Sequence, residues 1–174
     1  VTSGIRPVSG FFVNIHEQLE KAAGLRKSGQ QSDALDVLLP LLERFPQQAD
    51  IHYQIAWTYD SMGRESEAAP FYEQALSLGL SFHRAEAFLG LGSTYRCLGQ
   101  YEKSLETFDK GIAEFPNNQA LKTFRALSLY NLQNYSRSVE ELLLVLLATT
   151  QDQNIKSYEK ALRFYSDKLD QIWK

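Results

Sequence analysis

The stretch from His52 to Leu76, HYQIAWTYDSMGRESEAAPFYEQAL, carries the reading of the whole chain. His52, Ala56 and Tyr59 recur at i, i+4 and i+7, which is one stripe of an amphipathic helix. Gly63 follows; glycine accepts left-handed backbone without a Cβ penalty and so ends helices. A second stripe then begins, with small Ala68 and, four residues on, large Tyr72. A small residue lets two helices approach closely, and a large one fills the space beyond them. The stretch is therefore predicted to be two antiparallel helices joined at a glycine turn.

The same pattern extends in both directions. Small residues stand at Ala22, Ala56, Gly92 and Ala126, spaced by 34, 36 and 34 positions. Three positions on come Leu25, Tyr59, Tyr95 and Leu129, and then Gly29, Gly63, Gly99 and Gln133. A second small column reads Ala34, Ala68, Ser104 and Ser138, and a large one Leu38, Tyr72, Phe108 and Leu142. Phe45-Pro46 recurs as Phe115-Pro116, and these prolines close the first and third units because they cannot continue a helix interior. A period in this range means an array of repeats, each burying its apolar face only when its neighbour stacks on it. Pro40 and Pro70 fall inside second helices and are read as local bends. The longer interval adds two residues near Gly79–His83. The helix there should end on Gly79, with Leu80 or Phe82 plugging the gap.

These columns resemble the tetratricopeptide repeat. Its pattern is clearest in His52–Asp60 and Leu89–Arg96, and weaker at Leu129–Leu132, where Gln133 replaces the turn glycine. The whole chain is also similar to a small family of stand-alone bacterial proteins of this kind that have no assigned activity. The resemblance implies an all-α solenoid of four helical hairpins, a protein-binding role and a concave groove. Repeats are expected at about 15–48, 49–84, 85–118 and 119–152, within a single domain spanning 14–174. Residues 1–13 are expected to be a flexible segment. Tyr158, Ala161, Leu162, Tyr165 and Leu169 predict one capping helix at about 154–173, covering the apolar run of Leu142–Leu147. A helix exposing Phe164, Ile172 and Trp173 could instead form a dimer seam; a monomer is the favoured expectation.

Composition narrows the function. Eighteen basic residues against 21 acidic ones give a net charge of −3, a poor surface for a phosphate backbone, so no nucleic acid is expected. The longest apolar run, Leu142–Ala148, has seven residues. A bilayer needs ~18, so no membrane association is expected. The start of the chain lacks the features of a secretory signal, which makes the cytoplasm the expected compartment. Asn134-Tyr135-Ser136 then reads as a chance glycosylation sequon. One cysteine, Cys97, excludes an intrachain disulfide, and His16, His52 and His83 do not share a helix at ligand spacing. Gly90-Leu91-Gly92 lies inside a helix and follows no strand, so it is not a dinucleotide loop. The glutamates of the second helices are solvated faces. No catalytic residue, cofactor or metal is expected, and the chain is not read as an enzyme.

The remaining face of each first helix lines the concave side. Its rows read Leu19, Tyr53, Leu89, Thr123; then Ala23, Trp57, Ser93, Leu127; then Arg26, Asp60, Arg96, Tyr130, bordered by Lys27, Ser61, Cys97 and Asn131. Tyr53 and Trp57 stand one turn apart away from the core stripe and predict an exposed aromatic patch. Arg26, Asp60 and Arg96 alternate in charge and predict a brace of ion pairs, with Arg96 and Lys27 partly free for ligand. Some proteins of this family grip a chaperone C-terminus with a Lys/Asn/Arg clamp. Here those rows hold Leu19, Ala23, Tyr53, Trp57, Leu89 and Ser93, which argues against that specialisation. The expected site is a groove for a protein or peptide segment, formed by Tyr53, Trp57, Leu89, Arg96, Leu127, Tyr130 and Asn131. The competing reading is a self-associating or scaffold subunit whose groove is filled by Val8–Val13.

Overall fold

The computed structural model describes residues 14–173. The flexible segment 1–13 and the occupation of the groove by Val8–Val13 lie outside the described residues. Eight helices form four hairpins: α1 (Ile15–Lys27) with α2 (Gln31–Arg44), α3 (Ala49–Asp60) with α4 (Glu65–Ser77), α5 (Arg84–Cys97) with α6 (Tyr101–Glu114), and α7 (Gln119–Asn131) with α8 (Tyr135–Thr149). Two short helices follow, α9 (Gln153–Ser157) and α10 (Glu159–Tyr165). No strand occurs among the described residues. The fold is the all-α solenoid the columns predict.

Each hairpin closes with the same hydrogen-bonded turn. After α3, the Gly63 N–H donates to the Asp60 carbonyl and the Arg64 N–H to the Tyr59 carbonyl, both at 3.0 Å. This pair of bonds satisfies carbonyls that the helix end leaves orphaned, and it goes with left-handed backbone at Gly63. Gly29, Gly63 and Gly99 take φ of 79°, 67° and 72°. In the fourth hairpin the turn is kept without glycine, and Gln133 adopts φ 61°.

The helices of a hairpin cross at the small columns. Ala22, Ala34, Ala56, Ala68 and Ala126 are fully buried. A Cβ on Gly92 would stand 2.6 Å from the Phe108 ring, so only glycine fits beneath that side chain. Ser104 and Ser138 add a bond at the crossing, donating to the Gly92 and Ala126 carbonyls, both at 2.7 Å. Leu38, Tyr72 and Phe108 fill the spaces between hairpins. Leu142, the last of that column, is only half-buried, because no fifth hairpin stacks on α8. Pro40 and Pro70 stay within continuous α2 and α4. The carbonyls that lose an N–H partner belong to Asp36 and Ser66, on the exposed outer face.

Stacking sets which side is hollow. The first helices touch in series, α1 to α3, α3 to α5 and α5 to α7, whereas no two second helices pack on each other comparably. The layer in closer mutual contact lies on the inside of the curve.

One expectation needs correction. The C-terminal segment is not one helix over 154–173. Asp152 caps α9 by accepting from the Asn154 and Ile155 N–H groups, and the chain breaks at Tyr158 before α10. Neither short helix buries a residue fully. Leaning on α8 alone, this segment lacks the two-sided packing that holds a long helix. Leu146 consequently stays exposed, and of the run Leu142–Leu147 only Leu147 is buried. In the longer linker, Gly79 ends α4 in left-handed backbone, and Leu80 is the plug at 1% exposure. Phe82 is not, at 84%.

Candidate functional site

The inner face is built from the outward stripes of α3, α5 and α7. Trp57 is 39% exposed and Tyr130 59%, with Leu89, Leu127, Arg96 and Asn131 half-buried between them. Tyr130 packs edge-on against Tyr135, ring centroids 5.0 Å apart. Thr123, at the far end of the first row, is tied back to its own helix through the Gln119 carbonyl.

Tyr53 does not form an exposed patch with Trp57; it is 3% exposed. Its ring stacks on His83 at 4.9 Å and tilts against Trp57 at 5.8 Å and Tyr72 at 6.2 Å. His83 belongs to the extended linker, so the two inserted residues are what bring a ring over Tyr53. Burial, reinforced by the charge of Glu86, pushes the Tyr53 phenol up to about 12. Tyr53 is thus the floor beneath Trp57.

The predicted ion-pair brace is absent among the described residues. Arg26 is buried and donates to Gln54 Oε1 at 2.8 Å and to Thr58 Oγ1 at 3.3 Å. Its guanidinium lies 3.8 Å from the centre of the Trp57 ring. Burial lowers its pKa, and the neutral acceptors and the ring face take the place of a carboxylate. Asp60 accepts from the Tyr72 hydroxyl at 3.3 Å, and burial pushes its carboxyl above the usual range. Arg96 reaches Asn131 Oδ1 at 3.5 Å, while its buried Nε has no partner among the described residues. Gln54 and Thr58, one turn apart on α3, were the residues the charge pattern did not reveal. Their signal in the sequence was their spacing: Gln54 and Thr58 share one face of α3, four residues apart.

The candidates for chemistry are occupied structurally. His52 Nε2 lies 2.8 Å from the Pro46 carbonyl, closing the turn before α3. His16 lies beside Glu20 on the exposed first turns of α1, and the Cys97 thiol is exposed at the end of α5. Among the described residues no group of three or more His, Cys, Asp or Glu side chains is placed to hold a metal ion. No described helix is long and apolar enough to cross a membrane. Two larger clefts, of about 430 and 480 Å³, lie elsewhere: one beside α7 and α8, the other along α4, α5 and α6. Ion pairs already brace them, Arg125 with Asp109 and Glu141 in one, Arg84 with Glu114 in the other.

Four hairpins stacked in register, with polar and apolar groups along the inner layer, define a helical-repeat protein of the kind that serves protein–protein interaction. The family model described as Tetratrico peptide repeat matches residues 47–169, most of the chain. The chain belongs to the tetratricopeptide repeat family. Its first hairpin precedes the matched span and carries the same turn and the same small columns.

Among curated relatives, Superkiller protein 3 of Saccharomyces cerevisiae is 31% identical over 78 residues, 45% of this chain and 5% of that protein. Anaphase-promoting complex subunit CDC16 of the same yeast is 33% identical over 84 residues, 48% of this chain and 10% of that protein. The chain therefore spans a tenth or less of the length of these relatives. Among solved structures, the MamA protein superposes with a TM-score of 0.69 at 18% identity, covering 84% of this chain and 76% of that one. YrrB, described as a TPR protein with an unusual peptide-binding site, gives 0.67 at 19%, covering 86% and 72%. TTC0263, described as a thermophilic TPR protein in Thermus thermophilus, gives 0.64 at 20%, covering 89% and 84%. At such identities the likeness carries the fold.

Proposed function

We propose that the chain is a non-enzymatic interaction module that binds a peptide segment of a protein partner along its inner face. The contacts are Trp57, Leu89, Leu127 and Tyr130, with Arg96 and Asn131 as polar contacts and Tyr53 as the rigid floor. The observation that carries this reading is the pair Trp57 and Tyr130, large aromatics left 39% and 59% exposed on a layer whose other described aromatics are buried or half-buried. Aromatic anchors on a preformed surface bind at low ordering cost. The half-buried guanidinium of Arg96, which meets Asn131 Oδ1 only at 3.5 Å, supports a polar contact to a peptide carbonyl or carboxylate. The proposed state is a monomer, and the proposed compartment is the cytoplasm, where the exposed thiol of Cys97 stays reduced.

The test is capture of partners from a lysate, repeated with Trp57→Ala and Tyr130→Ala. Each should weaken capture by about tenfold or more while circular dichroism and melting stay near wild type. Trp57→Ala also removes the ring beneath Arg26, so Tyr130→Ala is the cleaner variant. Unchanged capture by both folded variants would rule the groove out.

One observation favours a second reading, a scaffold subunit that joins copies or components through its C-terminal end. Tyr158, Phe164, Tyr165 and Trp173 stay exposed there, and the Trp173 ring packs against those of Phe164 and Tyr165. Under that reading Phe164→Ser changes the oligomeric state in light scattering, and groove variants leave partner capture intact.

A further inference from the structure

Between α3 and α5 the groove deepens into a cavity of about 210 Å³. Small-molecule sites run from ~300 to 1,000 Å³, so this one has the size of a subsite for a single side chain. Its walls are the rings of Tyr53, Trp57 and Tyr72, and its charges are the carboxylates of Asp60 and Glu86. Leu89 and Gly90 complete the lining.

Four observations give it a chemistry. Neither Asp60 nor Glu86 has a cationic partner within ion-pair distance among the described residues. The nearby cations are engaged elsewhere: Arg26 on Trp57, Gln54 and Thr58, and Arg96 on Asn131. Tyr53, 3% exposed, lines the cavity with a hydroxyl that makes no hydrogen bond to another described residue. Finally, a Cβ on Gly90 would come within 2.5 Å of the Tyr72 ring. A helical glycine costs about 1 kcal/mol against alanine. Here it admits the Tyr72 ring, whose hydroxyl reaches Asp60.

Aromatic faces and unpaired carboxylates both attract cations, and the attraction grows where water is displaced. Arg26 over Trp57 is an example within the same groove. We propose that this cavity seats an arginine or lysine side chain of the bound segment. The proposal rests on the groove reading above and adds the charge and place of one partner residue.

The experiment selects short random peptides by display on the wild-type chain. Affinities of the enriched peptides are then measured for wild type, Asp60→Asn, Glu86→Gln and Tyr130→Ala. Glu86 is exposed, so its amide variant tests the charge without threatening the fold. The expected result is enrichment of peptides sharing one Arg or Lys. Replacing it by citrulline or norleucine should weaken binding about tenfold, as should Asp60→Asn and Glu86→Gln. Raising salt from about 50 to about 300 mM should weaken it further. Peptides that lose binding in Tyr130→Ala yet carry no basic residue, or ignore both amide variants, overturn the cavity assignment and leave the groove standing. No enrichment, or enriched peptides indifferent to Tyr130→Ala, overturns the groove reading and this proposal with it.

Discussion

Gln133 repeats the backbone of Gly29, Gly63 and Gly99 with a side chain attached. Its φ is 61°, its N–H donates to the Tyr130 carbonyl and the Asn134 N–H to the Leu129 carbonyl, both at 2.9 Å. Left-handed backbone costs a residue other than glycine roughly 1–2 kcal/mol. Glycine gives back part of that through the greater freedom of its unfolded chain, roughly 0.5–1 kcal/mol. Gln133 is exposed and makes no side-chain hydrogen bond to a described residue, so its removal forfeits little packing. Gln133→Gly should therefore stabilise the chain by about 0.5–1 kcal/mol. If the array melts as one unit, that is roughly 1–4 °C in Tm. Repeat arrays can also open piecewise, so urea unfolding should be paired with hydrogen exchange of the Leu129–Ser138 amides, where the gain should concentrate. Gly99→Gln is the converse. A Cβ there meets nothing within 4 Å, so strain alone acts, and stability should fall by about 1 kcal/mol. A destabilised Gln133→Gly together with a neutral Gly99→Gln would refute the claim that the left-handed turn is the strained element of the fourth hairpin.

Leu80 and Phe82 separate packing from hydrophobicity within one linker. Leu80→Ala, at a fully buried site, should cost about 2–5 kcal/mol in urea unfolding, and Phe82→Ala within about 0.5 kcal/mol of nothing; equal losses would mean that Phe82 shares the plug. Tyr53 links burial to alkaline stability. Its ordinary pKa of 10.0 rises to about 12 in the fold, so its contribution is intact below pH 10 and drains away as pH climbs toward 12. Tyr53→Phe should lose less stability than wild type across that window, while burial of Tyr72 and Tyr95 leaves a residual alkaline loss. Matching denaturation profiles for variant and wild type from pH 9 to about pH 12 would contradict it.

The hairpins, their turns and their crossings were legible along the chain because helical periodicity is local. Positions three and four apart share a face, so Ala56 and Tyr59 declare a buried stripe, Gly63 its end, and Trp57 and Tyr130 a face turned the other way. What Tyr53, Arg26 and Tyr158 do was decided by neighbours distant in sequence. His83 reaches Tyr53 because two inserted residues redirect a linker. Arg26 meets Gln54, Trp57 and Thr58 because α1 lies across α3, and the alternating charges on its row never come within pairing distance. The sequence excluded Gly90 from a nucleotide loop but did not reveal what it is for, which is clearance for the Tyr72 ring. The C-terminal pattern read as one long helix, but only α8 is there to support it, and the chain breaks at Tyr158. One helix's sequence specifies which of its faces avoids water; what meets that face depends on how separate helices cross, and only the folded stack fixes that.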